Sequence, residues 1–365
     1  MILMNDFAAE PAALQEEERT AVERVLRSGR FILGPEGQQF EEAWARFCGV
    51  GFCIGLANGM EAIELGLRAL QIGAGDEVIT TSMTAMATIM AILHAGATPV
   101  LADIERETAL LDIASVKRCL TKRTKAVLLV HLYGQVPDMT PWIDMAGNAR
   151  IQLLEDAAQA HGAVRQERCA GSFGKWGAFS FYPTKNLGAK GDAGAFVTDS
   201  RELADRVKTL RNYGTVGRYE HLELGLNSRL DELQAAILRT RLAWLDRFNR
   251  RRQQIAARYH TEITHPQIEL PFRPSEVSSH VHHLFVVRSA ERDRLEQFLQ
   301  EKGVKTLIHY PIAAHRQPFC AGAQSDPAGL LNAERHAAQC LSLPCHPQLS
   351  EEDVTTVVTA VNAFR

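Results

Sequence analysis

Short apolar runs alternate with longer amphipathic segments through the first 200 residues of the chain. The apolar runs have the length and composition of strands, and they fall at 52–56, 77–80, 98–102, 126–131 and 151–155. Apolar residues at helical spacing predict helices at 14–26, 40–48, 85–94, 113–120 and 141–149. Strands that are almost wholly apolar and alternate with helices indicate an α/β fold with a mainly parallel central sheet covered on both faces.

The pattern changes in the last third of the chain. A long helical stripe begins at Ser228, with Ser228-x-x-Asp231 as a capping box, and continues toward residue 259 across a domain boundary. Beyond it we predict a strand at 281–288, a helix at 293–301, a strand at 304–308 and a last helix from Ser350. The sequence therefore predicts a large domain over residues 1–248 and a smaller α+β C-terminal domain over residues 249–365.

Composition and charge narrow the classes of partner. Of the 365 residues 46% are apolar and 23% are charged, and the net charge of −3 suggests neither nucleic acid nor a membrane as a partner. The basic run at 247–252 is interpreted as one face of a helix. The most apolar run, at 85–102, contains His94 and Pro99 and is too interrupted to span a bilayer.

Cysteine usage favours a reducing compartment. The seven cysteines are scattered, odd in number and form no Cys-x-x-Cys, which favours reduced thiols over a disulfide framework. No signal peptide is indicated at the N-terminus, so we expect a cytoplasmic protein. We predict no metal site, because the spacing of one candidate group matches no common zinc site: His336, Cys340, Cys345 and His346.

Lys185 follows a short buried strand predicted at 177–182, within the sequence Phe-Ser-Phe-Tyr-Pro-Thr-Lys-Asn at 179–186. Pro183 ends the strand because proline has no N–H for a sheet ladder. A lysine held at the mouth of a sheet is partly desolvated, and such a lysine is a nucleophilic amine that can form a Schiff base. The alternative is a solvated loop lysine, so the interpretation depends on partners elsewhere in the chain.

Two other features supply such partners. Asn58-Gly59-Met60 lies between a strand and a helix, where free N–H groups and the helix dipole favour a phosphate. Asp156 ends a predicted strand, where a carboxylate can bind magnesium, cap a helix or pair with a heterocyclic nitrogen. A phosphate cup, a carboxylate and an amine are together the groups that pyridoxal 5'-phosphate needs. Dinucleotide and P-loop motifs are absent from the sequence.

The sequence resembles the DegT/StrS-type nucleotide-sugar aminotransferases, which are fold-type-I pyridoxal phosphate enzymes, from residue 5 to the C-terminus. The closest resemblance is to enzymes that aminate C3 of dTDP-linked 6-deoxyhexoses. Motifs in the same order carry the resemblance: Phe31-Ile32-Leu33-Gly34-Pro35, Ala57-Asn58-Gly59, His131-Leu132-Tyr133-Gly134-Gln135, Glu155-Asp156-Ala157-Ala158-Gln159, the run at 179–186, Arg211-Asn212-Tyr213-Gly214, the run at 225–234, and His309-Tyr310-Pro311.

The resemblance implies a role for each cofactor-binding position. Lys185 would be the Schiff-base lysine, Asp156 would pair with the pyridinium nitrogen, and Gln159 would contact the ring hydroxyl or ring face. Contacts to the phosphate would come from the Gly59 and Met60 N–H groups, the Ser180 hydroxyl and, from the neighbouring subunit of a homodimer, Asn227.

The same resemblance implies substrate contacts. Residues near the hexose would be Tyr182, His309 and Tyr310, although packed strand-end residues are an alternative for the last two. Arg218 of the neighbouring subunit would reach the nucleotide diphosphate. Arg229 is either a ligand contact or a structural residue.

Two positions depart from the family pattern. Met60 stands where most relatives have a small hydroxyl residue, so the backbone donor remains while a hydroxyl bond to phosphate is lost. Ala85 stands near the usual place of an aromatic residue that stacks on the cofactor ring. We expect Met83 or Met86 to cover the ring, or the cofactor to be held less firmly.

The implied activity is transfer of an amino group from L-glutamate to a keto sugar, most closely at C3 of a dTDP-3-keto-6-deoxyhexose. A UDP-linked 3-keto sugar and a 4-keto sugar are the alternatives within the family. A sugar dehydratase would carry histidine in place of Lys185. A non-catalytic regulatory protein would be expected to lose Lys185, Asp156 or Ser180, and all three are present.

Overall fold

The computed structural model describes residues 1–320 and 322–365. Its helices are α1 (Ala12–Ser28), α2 (Pro35–Cys48), α3 (Gly59–Ala69), α4 (Met86–His94), α5 (Ile113–Cys119), α6 (Thr140–Ala149), α7 (Arg201–Leu210), α8 (Glu232–Leu242), α9 (Leu245–Glu262), α10 (Arg292–Glu301), α11 (Leu331–Gln339) and α12 (Glu351–Asn362). Its strands are β1 (Phe52–Leu56), β2 (Glu77–Thr81), β3 (Thr98–Ala102), β4 (Thr124–Val130), β5 (Gln152–Asp156), β6 (Val164–Arg165), β7 (Arg168–Cys169), β8 (Gly177–Ser180), β9 (Gly194–Thr198), β10 (Thr215–Gly217), β11 (Glu220–His221), β12 (Phe285–Arg288), β13 (Gln324–Ser325) and β14 (Cys340–Leu343).

A mixed sheet organises the larger part of the molecule, with strand order β1-β9-β8-β5-β4-β2-β3-β13. Neighbours from β8 to β13 pair in parallel, whereas β9 runs antiparallel to both β1 and β8. The predicted α/β fold with a mainly parallel sheet is confirmed. Because β1, β5 and β8 run in the same direction, the segments that follow them leave the sheet at one edge.

Both faces of the sheet are covered by helices. Successive side chains of a strand point to opposite faces, so they pack in two separate cores. Leu153 of β5 packs in an apolar core with Trp44 and Trp142, while the next residue, Leu154, packs in a second core with Trp176. Helices α2, α5 and α6 contribute to the first core, and α3, α4 and α7 contribute to the second. This two-sided burial explains why the strands read as continuous apolar runs.

The C-terminal part has its own apolar core. An antiparallel pair of β12 and β14 packs with α9, α10 and α12, which makes an α+β unit. The strand predicted at 304–308 is wrong: Val304 and Leu307 form isolated bridges to Ile2 and Ser342 instead of a continuous ladder. The strand predicted at 281–288 begins only at Phe285, after a positive φ of 45° at His282. The boundary between residues 248 and 249 stays a prediction.

The capping box predicted at Ser228 is also wrong. Ser228 is buried, and its Oγ accepts a hydrogen bond from Ala57 N at 3.3 Å, so a tertiary contact uses the hydroxyl. Helix α8 begins at Glu232 behind Asp231, which makes no side-chain cap, and the long stripe is divided between α8 and α9. At the last helix, by contrast, Ser350 forms a reciprocal capping box with Asp353.

The sheet also contains strands that the hydrophobic pattern did not predict. Strand β9 lies inside the sheet although it follows a glycine-rich run, and β13 adds two exposed residues at the far edge. Within residues 1–320 and 322–365, no helix has the length and apolar character needed to cross a membrane.

Candidate active site

Three loops meet at the carboxyl edge of the sheet. They follow β1, β5 and β8: Gly59 begins α3 after the first loop, Asp156 is the last residue of β5, and Lys185 lies in the loop after β8. Strands β5 and β8 are direct neighbours, with Asp156 in register with Ala178. The structure therefore brings together the three groups that the sequence predicted at one site.

Lys185 is held by a tight turn at the end of β8. Its backbone N–H donates to the Tyr182 carbonyl at 2.8 Å, and the Ala189 N–H donates to the Phe181 carbonyl at 2.8 Å. Burial lowers the pKa of Lys185 to about 8 from its ordinary 10.5, while the Asp156 carboxylate opposes the shift. A lysine with this pKa is neutral often enough near pH 8 to act as a nucleophile or base.

Asp156 is a buried carboxylate with fixed partners. Its Oδ2 accepts from Thr88 Oγ1 at 2.8 Å, and its Oδ1 accepts from Ala158 N at 3.1 Å. Burial raises the pKa of Asp156 above its ordinary 3.8, and those two hydrogen bonds, with Lys185 and His131, oppose the rise. The helix-capping and magnesium alternatives receive no support from these contacts, because the N–H group that binds Asp156 belongs to a turn and the carboxylate faces an amine.

The loop after β1 forms a cradle against β8. Asn58 is the N-cap of α3, and its Oδ1 accepts from Glu61 N at 2.9 Å. A Cβ added to Gly59 would lie 2.7 Å from Ser180 Cβ, so the absence of a side chain allows this close approach. The first N–H groups of α3, at Gly59 and Met60, have no partner within the helix, and Gly59 packs directly against Ser180. Such a donor set suits a phosphate.

Gln159 links the sheet edge to the C-terminal part. Its Oε1 accepts from Tyr133 N at 2.6 Å, which fixes the amide so that Nε2 donates to the Tyr310 hydroxyl at 3.2 Å. Burial raises the pKa of Tyr310 to about 12, so its phenol stays protonated.

His309 lies in the same region. Its Nδ1 is 2.8 Å from Ser342 Oγ. Burial and the nearby Lys185 lower the pKa of His309 to about 4, so the ring is neutral at physiological pH.

The remaining predicted contacts lie toward solvent. Tyr182 is 52% exposed and lies two residues beyond β8, which ends at Ser180 and not at the predicted residue 182. Asn227 is exposed and bridges to Asn212, and Arg218 lies over the Tyr219 ring at 5.5 Å on the hairpin of β10 and β11. Arg229 donates to Asn212 Oδ1 at 2.9 Å, which is a structural contact within the chain.

A buried hydrogen-bonded pair beneath the site, His131 and Glu155, was not predicted from the sequence. His131 Nε2 lies 2.8 Å from Glu155 Oε2, and neither side chain is exposed to solvent. Glu155 also accepts backbone N–H groups from Gly171, Phe173 and Gly174, so it anchors the loop before β8. The sequence contained a signal for this pair, since Glu155 directly precedes Asp156 and His131 directly follows the neighbouring strand β4.

The methionines near the expected ring-covering position differ in burial. Met83 is fully buried in an apolar cluster with Leu132 and Tyr133, whereas Met86 is half-buried near Ile89. Ala85 is the N-cap of α4 and has no ring to stack. Coverage of a cofactor ring by either methionine stays a prediction.

Comparison with known proteins identifies the family of the chain. A model of the DegT/DnrJ/EryC1/StrS aminotransferase family matches residues 12–362. The chain is 44% identical to dTDP-3-amino-3,4,6-trideoxy-alpha-D-glucose transaminase of Streptomyces venezuelae, over 98% of this chain and 95% of that protein. It is 47% identical to dTDP-3-amino-3,6-dideoxy-alpha-D-galactopyranose transaminase of Aneurinibacillus thermoaerophilus, over 96% of each.

Solved structures agree with these sequence relatives. The crystal structure of DesV from S. venezuelae, in complex with a ketimine intermediate, superposes with a TM-score of 0.95 at 44% identity, over 99% of this chain and 97% of that one. A structure of NtdA from Bacillus subtilis with bound cofactor PMP superposes with a TM-score of 0.88 at 32% identity, over 97% and 82% of the two chains.

Proposed function

The chain belongs to the DegT/DnrJ/EryC1/StrS aminotransferase family, and from this premise we propose that it moves an amino group from L-glutamate to C3 of a dTDP-3-keto-6-deoxyhexose. The observation that carries the proposal is the pairing of Lys185 and Asp156 at the ends of adjacent strands, beside the cradle at Gly59. The names of the two sequence relatives, both dTDP-3-amino-sugar transaminases, support this substrate class.

Pyridoxal 5'-phosphate is the cofactor that these residues fit. Its phosphate matches the Gly59 and Met60 N–H groups with the Ser180 hydroxyl, its ring nitrogen matches Asp156, and its aldehyde matches the Lys185 amine. Gln159 would contact the ring hydroxyl or the ring face. When bound, this cofactor supplies an electron sink for the charge left on a substrate carbon that loses a proton.

Lys185 performs the proton transfers. With a pKa of about 8, its amine takes a proton from the amino-donor carbon and returns one to the acceptor carbon. Asp156 keeps a proton on the ring nitrogen, because a buried carboxylate stabilises a neighbouring cation more strongly than water does. Lys185 is half-buried, and the nearby Tyr182 is exposed to solvent, so we expect substrate to enter on that side.

Sugar recognition falls to Tyr182, His309 and Tyr310. A neutral His309 and a protonated Tyr310 offer hydrogen bonds to hydroxyl groups without attracting a competing carboxylate. The fixed Gln159 amide orients the Tyr310 oxygen as an acceptor, which leaves the phenol proton free for a ligand. Arg218 supplies a positive charge suited to a diphosphate.

A homodimer completes this arrangement. Arg218 lies on a hairpin whose neighbours Val216 and Tyr219 are 53% and 84% exposed, and Leu224 beyond it is 86% exposed. Apolar side chains displayed together at one projecting segment favour burial against a second copy of the chain. In that dimer Asn227 and Arg218 serve the site of the neighbouring subunit.

A substrate panel tests the proposal. Purified protein reconstituted with pyridoxal phosphate should show a visible absorption band that bleaches with L-glutamate, and it should then aminate a dTDP-3-keto-6-deoxyhexose. The position of the new C–N bond is read by NMR. Faster amination of a UDP-linked 3-keto sugar or of a 4-keto sugar would replace the proposed substrate. A protein without a visible band would contradict the enzymatic function.

A further inference from the structure

Thr88 lies in α4 and contacts Asp156, and it has no role in the proposed function. Its Oγ1 donates to Asp156 Oδ2 at 2.8 Å, and the hydroxyls of Thr84 and Thr88 are 2.8 Å apart. Thr84, Thr88 and Asp156 are only 4%, 1% and 6% exposed. A two-hydroxyl chain thus ends on the carboxylate in a region without bulk water.

The chemistry of the groups fixes the direction of the chain. An ionised carboxylate accepts hydrogen bonds only, so the Thr88 hydroxyl must donate to Asp156. The Thr88 oxygen is then available to accept, and Thr84 donates to it. Each donation polarises the next, which strengthens the bond that reaches the carboxylate.

We propose that Thr88 is a positioning residue that acts through Asp156. Its hydroxyl, supported by Thr84, keeps the carboxylate ionised and oriented so that Asp156 holds a proton on the ring nitrogen of the cofactor. This inference rests on the proposed function, because it assigns Thr88 to the same site. The hydroxyl contacts Asp156 and Thr84, so it acts through the carboxylate.

Other groups act on the same carboxylate and set the background. Lys185 faces it from the loop after β8, and His131 faces it from the end of β4. The Tyr310 hydroxyl lies near it from the C-terminal part. Ala158 N binds the other oxygen. Among the described residues, Thr88 is the side-chain hydroxyl that binds this carboxylate, and Thr84 is the hydroxyl that extends the hydrogen-bond chain. Removing either one therefore changes a single hydrogen bond at a time.

Burial opposes the ionised form, and Thr88 counteracts it. Without the Thr88 hydroxyl, the pKa of Asp156 should rise further, and the proton shared with the ring nitrogen should move toward the carboxylate. The electron sink then weakens. A lost hydrogen bond to a charged group corresponds to a rate decrease of about tenfold or more.

The test compares Thr88→Val, Thr88→Ser and Thr80→Val. Thr80 is a matched control, because it is a buried threonine whose hydroxyl donates to the Leu128 carbonyl at 2.9 Å, away from Asp156. Each protein is reconstituted with pyridoxal phosphate labelled with nitrogen-15 in the ring. The ring-nitrogen chemical shift is measured, together with the single-turnover rate with L-glutamate.

We expect Thr88→Val to move the nitrogen signal toward that of an unprotonated pyridine and to slow the half-reaction about tenfold. Thr88→Ser should restore both values, and Thr80→Val should change neither. If Thr88→Val does not accumulate as folded protein, Thr84→Val replaces it and should give a smaller displacement in the same direction.

The outcomes separate the two proposals. An unchanged nitrogen signal in Thr88→Val would overturn the role of Thr88 even if activity falls, because the loss of activity would then be structural. The same holds for Thr84→Val if that variant is used instead. Failure of the wild-type protein to bleach with glutamate would instead overturn the proposed function. A displaced signal with slower transfer, reversed by serine, supports both.

Discussion

At the scale of single residues, burial sets the acid–base behaviour of the site. The same desolvation that raises the pKa of Asp156 lowers the pKa of Lys185, because each shift disfavours the charged form. Their opposite charges limit both shifts, so the pair keeps a carboxylate and an amine that is partly neutral near pH 8. These are the states that amino transfer requires.

Replacing Lys185 by alanine should abolish amino transfer while leaving the fold intact. In the proposed function Lys185 supplies the amine, and because its side chain is half-buried we expect its loss to leave the fold unchanged. Turnover with L-glutamate and a keto sugar, and circular dichroism, provide the measurements. Lys175→Ala is the matched control, since Lys175 is an exposed lysine in the loop that precedes β8. Wild-type turnover in Lys185→Ala would refute the assignment.

The pKa of Lys185 predicts a pH dependence for stability of the cofactor-free protein. Its folded value of about 8 is below its ordinary 10.5, so the unfolded chain binds more protons between those values. The cost in folding free energy of burying the charged Lys185 amine is fully present below pH 8, and it is lost as the pH rises to 10.5. Denaturant unfolding of wild type and Lys185→Met should therefore show wild type gaining stability relative to the variant across that window. A constant difference would contradict the lowered pKa.

At the scale of elements, the active site depends on how closely α3 approaches β8. Gly59 begins the helix, and its lack of a side chain lets the helix N-terminus reach Ser180. The free N–H groups of the first turn then lie at the edge where β5 and β8 end. Helix dipole and amide donors act together only within this short distance.

Gly59→Ala should weaken cofactor binding more than it lowers the stability of the fold. The added Cβ would lie 2.7 Å from Ser180 Cβ, which forces α3 away from β8. We expect the dissociation constant for pyridoxal phosphate to rise at least about tenfold, as for loss of one charge-assisted hydrogen bond. Absorbance titration of the cofactor-free protein measures it.

Gly147→Ala in α6 is the control for this prediction. A Cβ at Gly147 meets no atom within 4 Å, so the substitution should leave cofactor affinity unchanged and stabilise the helix by about 0.5–1 kcal/mol. Equal affinities in the two variants would show that the approach of α3 to Ser180 is unimportant for the phosphate.

At the scale of the whole molecule, the exposed hairpin and Asn227 predict a site shared by two chains. If Asn227 serves the neighbouring subunit, a mixture of Lys185→Ala and Asn227→Asp proteins should regain activity that neither has alone. A mixed dimer contains one site with both native residues. The measurement is turnover after co-refolding, with analytical ultracentrifugation for the dimer. No regained activity in a mixture that forms dimers would contradict sharing.

Local pattern was sufficient where a feature depends on residues close in sequence. Strands 52–56 and 98–102 have the predicted bounds, because an apolar run between polar turns is itself the cause of a buried strand. Lys185 and Asp156 were predicted because each follows such a strand, and parallel strands end at one edge. The last helix was predicted from Ser350, and α12 begins at the next residue with Ser350 as its N-cap.

Tertiary structure decided the features whose partners are distant in sequence. Ser228 resembles a helix cap but bonds to Ala57, which lies far earlier in the chain. Strand β9 is interior only because β1 and β8 flank it. Thr88, 68 residues before Asp156, carries no sequence signal of its role. The sequence by itself determined which groups could do chemistry. The packing of α4 and β9 decided which side chains contact those chemical groups, because a hydrogen bond depends on distance in space and not on distance along the chain.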